Sequence, residues 1–138
     1  MTNPIKITKP EILKNIDKAK NSIEVNDFLY KNIFSLIDLT SLNTGDNDKI
    51  ISNIIEKVNA FPKHYPSMPD VAAICVYPTF AKIVKDNVSR ETINVASVAA
   101  GFPSSQTYLS VKLAECEIAK NKGADELDIV ISLGDFLN

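Results

Sequence analysis

The sequence holds few of the residues that carry chemistry by themselves: two cysteines, one histidine and four glycines in 138 residues. Cys75 and Cys116 stand 41 positions apart without metal-type spacing, so neither a disulfide nor a zinc site is expected and both read as free thiols of a reducing compartment. His64 lies alone among prolines and reads as a solvated surface residue. With so little glycine there is no phosphate-cradling loop and no GxGxxG, and GxSxG, HExxH and Cys/His clusters are absent too. Nucleotide binding, metal hydrolysis and triad catalysis therefore lack support.

Long hydrophobic runs are missing as well. The longest, residues 71–77, is seven residues, against the roughly 20 that span a bilayer. The first thirty residues mix Lys9, Glu11, Lys14, Asp17 and Lys18 with no apolar stretch of signal-peptide length, so a cytoplasmic chain with no membrane partner is expected. Neither sign of charge dominates. Fifteen Lys and Arg face 17 Asp and Glu, whereas nucleic-acid sites need clustered positive charge, so no nucleic-acid partner is expected.

What is present is the composition of one ordinary globular domain, 45% hydrophobic and 23% charged, long enough to bury a core. Residues 1–30 are polar, helix-prone and thin in apolar content, with Pro10 suited to a first helical turn, and read as an N-terminal helical extension. The packed domain is expected at 31–138. There, short apolar runs alternate with amphipathic windows. Strands are expected at 36–40, 71–77, 93–100 and 126–131. Between them, Ile50, Ile51, Ile54, Ile55 and Val58 form a helical stripe, with Asp46 and Asp48 at its start and Pro62, Pro66 and Pro69 marking the loop beyond. Phe80, Ala81, Ile83, Val84 and Val88 form a second stripe. Leu109, Val111, Leu113, Ala114, Cys116 and Ile118 give the buried face of a third helix, for which Ser104 or Ser105 is the expected cap and Gly123 the expected stop.

Strands alternating with helices, most of them apolar on both faces, predict an α/β protein with a parallel sheet. Right-handed crossovers leave two architectures open, a doubly wound sheet or part of a (β/α)8 barrel.

Three side chains interrupt the apolar strands. Asp128 sits in Leu127-Asp128-Ile129-Val130-Ile131, where a buried carboxylate would be costly unless paired or protonated. Such groups cluster at functional sites, although a structural ion pair or strand-end hydrogen bond is the alternative. Alternation puts Glu126, Asp128 and Val130 on one face, and in a barrel that face would point to the interior and its mouth. Asp38 shares a strand face with Leu36 and Thr40, where carboxylate and hydroxyl could equally fix the following turn. Cys75 shares a face with Ala73 and Tyr77 and reads as a small buried hydrophobe, with a catalytic nucleophile as the less favoured alternative because no His lies near it in sequence. No lysine falls in a strand, as a desolvated Schiff-base amine would.

Taken in order, Ile37-Asp38-Leu39-Thr40-Ser41-Leu42, Ala73-Ile74-Cys75-Val76-Tyr77-Pro78, Gly101-Phe102-Pro103 and Gly123-Ala124-Asp125-Glu126-Leu127-Asp128-Ile129-Val130 resemble the 2-deoxyribose-5-phosphate aldolases. The chain departs from that pattern at Ser104-Ser105, where many relatives read Leu-Gly, and at Ser132, where Asn is frequent. The resemblance implies a (β/α)8 barrel, with this chain covering about its first four strands. It also implies metal-free, cofactor-free Schiff-base cleavage of a sugar phosphate, with Asp128 as the catalytic proton relay and Asp38, Thr40 and Cys75 at the substrate. A barrel of this kind takes about 250 residues, so the family's two lysines and its phosphate site are expected beyond Asn138. The isolated chain is then expected to be inactive. A homo-oligomer, or a non-catalytic half-barrel that binds or assembles through its open edges, is the alternative expectation.

Overall fold

The computed structural model describes residues 7–138, and the first six residues of the expected extension lie outside them. The chain divides into two units, residues 1–30 and 31–138. In the first, α1 (Lys9–Ser22) is closed at its start by a capping box, in which Thr8 and Glu11 satisfy each other's free backbone donors. A second helix, α2 (Asp27–Phe34), begins in that unit.

The second unit is built on a four-stranded sheet, β1 (Asp38–Thr40), β2 (Ala73–Val76), β3 (Asn94–Ala99) and β4 (Glu126–Ile129). Every neighbouring pair is parallel and the order is β1-β2-β3-β4. This order decides between the two expected architectures. A doubly wound sheet reverses direction at a switch point, whereas here each crossover moves one strand further the same way, as in a barrel wall.

The crossovers are α3 (Asp48–His64), then a 3-10 turn (Pro78–Phe80) continuing into α4 (Ala81–Asn87), and α5 (Leu109–Asn121); a short α6 (Leu133–Leu137) follows β4. Alternation along the strands sorts two cores. Ile74, Val76 and Val95 point outward and pack on Ile51, Ile55 and Val58 of α3 and on Ala81 and Val84 of α4. Ala73, Cys75, Ala96 and Val98 point inward, under Leu42, Tyr77 and Phe102. Among the described residues, no helix is long and apolar enough to cross a membrane.

Several expectations are corrected. Helix α3 does not stop before Pro62 but carries it in its last turn, ending at His64. Neither Asp46 nor Asp48 caps it; the Asn47 side chain accepts from the Ile50 N–H, while Asp46 fixes the preceding loop. Neither Ser104 nor Ser105 caps α5, because the loop runs on to Tyr108, and no side chain caps the helix there. The expected buried face of α5 is largely exposed, with Leu109, Val111, Leu113 and Ile118 open and Ala119 buried, the helix packing mainly on β3, β4 and the 3-10 turn. Gly123 does end α5, at φ 99°, and a Cβ there would meet Lys85 Cγ at 2.7 Å.

Candidate active site

In a parallel (β/α) wall the loops at the strands' C-terminal ends form the working face. Each such loop here is held by specific hydrogen bonds. After β1, buried Ser41 donates to Asp46, which also accepts from the Asn43 N–H; burial raises the Asp46 pKa, but these hydrogen bonds outweigh it and hold the carboxyl below its ordinary value. After β2, the Tyr77 hydroxyl donates to the Leu42 carbonyl at 3.1 Å and so joins the first two loops. After β3, Ala100, Gly101 and Ser105 all take left-handed backbone, and the Gly101 N–H donates to Glu115 at 2.8 Å. Glycine is required at position 101, where a Cβ would lie 2.8 Å from Thr107 Cγ2. After β4, Lys112 Nζ donates to Ser132 Oγ at 2.7 Å, and that hydroxyl donates to the Ser105 carbonyl at 3.1 Å.

The inner face of the sheet brings together the side chains singled out from the sequence. Asp38 and Thr40 of β1, Cys75 of β2 and Asp128 of β4 all lie on it, with Thr40 beside Cys75 in register and Asp128 beside Val98. Cys75 Sγ approaches Asp128 Oδ2 at 3.7 Å. Asp38 is pushed above the ordinary carboxylate value by burial first, and then by the charges of Glu126 and Asp128. The Cys75 thiol is pushed up to about 11, chiefly by burial and then by Asp128.

The expectation of a buried carboxylate at position 128 is corrected. Asp128 is exposed, as are Asp38 and Thr40. His64 is exposed at the end of α3, as the sequence suggested. Two neighbours of the site were not singled out as site residues. Glu126 shares the inner face of β4 and accepts from Asn94 Nδ2, and Lys112 holds the end of β4 through Ser132. Alternation had already placed Glu126 on this face; Lys112 lies on a helix and gave no such signal. A cleft of about 320 Å3 lined by Phe34, Leu39, Val58, Phe61, Val71 and Ile93 lies at the other end of the strands and contains none of these side chains.

No protein-family model matches the chain. The deoxyribose-phosphate aldolase of Clostridium botulinum (strain Loch Maree / Type A3) is 33% identical over 98 residues, covering 71% of this chain and 42% of its own length. The human deoxyribose-phosphate aldolase is 31% identical over 150 residues, covering 93% of this chain and 45% of its own length. Among solved structures, the aldolase QR15 superimposes with a TM-score of 0.63 at 28% identity, over 75% of this chain and 42% of its own. By sequence and by fold, this chain is a partial relative of the deoxyribose-phosphate aldolases. It spans less than half the length of the relatives it matches. A deoxyribose phosphate aldolase of Aeropyrum pernix, described as a unique tetramer, shares the fold with a TM-score of 0.62 at 23% identity, over 75% of this chain and 41% of its own. The four-stranded wall thus matches part of the (β/α) barrel of those aldolases.

Proposed function

We propose that this chain carries the proton-relay part of a class I aldolase site, for reversible cleavage of 2-deoxy-D-ribose 5-phosphate to D-glyceraldehyde 3-phosphate and acetaldehyde. The observation that carries this reading is that Asp38, Thr40, Cys75 and Asp128 share one sheet face, with Thr40, Cys75 and Asp128 toward the C-terminal ends of their strands and Asp38 at the start of β1. In the cleavage direction a base must take the C3 hydroxyl proton as the C2–C3 bond breaks, and an acid must return a proton to C2. Asp128, exposed and free of any cation partner among the described residues, suits both steps, directly or through one water. Asp38, Thr40 and Cys75 line the substrate side of the same face.

The amine that forms the Schiff base is supplied from outside these 138 residues. In support, no lysine lies in any of the four strands, where desolvation would lower an amine's pKa. The reading requires no metal or cofactor, since an imine alone stabilises the carbanion formed at C2.

Two measurements on the chain test this. Titration with 2-deoxyribose 5-phosphate, followed by NMR, should shift the resonances of Asp38, Thr40, Cys75 and Asp128; shifts confined to Asp70 and Arg90 at the opposite end would defeat the site assignment. Borohydride treatment with the same substrate should leave the lysines unmodified by mass spectrometry. A stoichiometric adduct, at Lys112 or elsewhere, would place the amine inside the chain after all.

A further inference from the structure

The inner face pairs side chains from strands that are not neighbours. In an eight-stranded barrel, inward positions of alternate strands share a layer, and β2 and β4 are alternate strands separated by β3. Cys75 and Asp128 meet for this reason, 53 positions apart in the chain and with Sγ 3.7 Å from Oδ2. The intervening inward residues of β3 are Ala96 and Val98, small enough to let the two side chains reach each other above them. Cys75 itself is only 2% exposed.

The surroundings decide which way the proton lies between sulfur and carboxylate. Burial above all, then Asp128 and more weakly Asp38, oppose a negative sulfur, and Thr40 alone favours it, so the thiol stays protonated at neutral pH. A protonated thiol has one hydrogen to give, and an ionised carboxylate can only accept. The same state leaves Cys75 without the thiolate that a nucleophile needs. Asp128 has no other hydrogen-bond partner among the described residues, so this S–H is the one contact that orients it.

We propose that Cys75 is a positioning residue for Asp128: its S–H donates to Oδ2, fixes the rotation of the carboxylate, and leaves Oδ1 to exchange protons with the reacting molecule. The last clause rests on the proposed aldolase reading; the hydrogen bond does not. In this assignment the thiol acts through the carboxylate, and neither attacks nor ligates.

The S–H stretching vibration reports the contact directly and without substrate. In the 138-residue chain carrying Cys116→Ala, the infrared spectrum contains a single S–H band, that of Cys75. Accepting a hydrogen bond from the thiol, Asp128 should hold this band at lower frequency than in the same chain carrying Asp128→Leu. The isosteric Asp128→Asn, a weaker acceptor, should give an intermediate frequency and keeps the test open if the leucine variant folds poorly. The same frequency in all three proteins, with folding confirmed by amide NMR dispersion, would overturn the proposal. That result would leave the substrate titration untouched, and a failed titration would leave the S–H shift untouched, so the two readings fail separately.

Discussion

Asp125 ties three elements together with one carboxylate. It accepts from Lys85 Nζ of α4 at 2.8 and 2.9 Å and from the Val95 N–H of β3 at 2.9 Å, while its own backbone leads into β4. Burial pushes its pKa up, but the hydrogen bonds from Lys85 and Val95 and the Lys85 charge outweigh it, so the carboxyl sits below its ordinary value. A depressed folded pKa contributes stability that is present above the unfolded carboxylate pKa and is lost as pH falls through the folded one. Asp125→Ala should therefore cost about 1–3 kcal/mol at pH 7, because it orphans the Val95 N–H. Urea denaturation should show that cost shrinking in acid, and a pH-independent cost would contradict the linkage. At the inner face the argument runs through the thiol instead. Asp128→Asn removes a negative neighbour, so the Cys75 thiol should titrate below its value of about 11 yet stay above an ordinary thiol, since burial and Asp38 persist. Thiolate absorbance against pH, in a Cys116→Ala background, reads this. Strand alternation was enough to nominate Asp38, Cys75 and Asp128, because a period of two is a property of the sequence. That Cys75 would touch Asp128 across β3 was not legible, because it depends on strand order.

At the scale of elements, stripes were legible and ends were not. The spacing of Ile51, Ile55 and Val58 places them on one face of α3, and all three are buried. Ile55→Ala should cost about 2–5 kcal/mol through the cavity it leaves. By contrast, Leu113→Ala on the open face of α5 should change stability by no more than about 0.5 kcal/mol. Chemical denaturation of the two variants side by side tests whether the apolar stripes of α3 and α5 differ as the structure says. Periodicity alone could not separate them, since each stripe is apolar and only the packing partner differs. Ends fared worse because caps are made by loops. Asn47 caps α3 through its side chain, so Asn47→Ala should cost about 0.5–2 kcal/mol. Asp48→Asn should not share that loss of a cap. The serines expected to cap α5 sit in a loop whose left-handed turns at Ala100, Gly101 and Ser105 carry the chain on to Tyr108.

For the whole molecule, the decisive feature is that a monotonic strand order makes one face of the sheet an interior. The apolar pattern shows four strands but not their order, and so by itself left both a doubly wound sheet and a barrel open, the resemblance alone favouring the barrel. Once the order is β1-β2-β3-β4, the outer face is covered by α3 and α4, and the inner face carries Asp38, Glu126 and Asp128 with no lysine or arginine in any strand. Like charges gathered on one side of a sheet repel, and Asp38 registers this. Its pKa is raised by burial and then by Glu126 and Asp128. A carboxylate with a raised folded pKa takes up protons on folding, so it weakens the fold at neutral pH and this penalty is relieved as pH falls through the folded pKa. Asp125 and Asp70, both held below the ordinary carboxylate value, the latter by Arg90 and Thr92, have the opposite slope. Asp38→Asn separates the two trends. Because Asp38 is exposed and water screens its neighbours, the gain at neutral pH should be no more than about 0.5 kcal/mol. It should shrink with added salt and vanish below the ordinary carboxylate pKa, where wild type and variant are both neutral at this position. Denaturation midpoints of the two proteins across pH measure the difference. A variant less stable than wild type at neutral pH would mean that Asp38 is held by an attractive partner, and that the inner face is not the one-signed surface its carboxylates indicate.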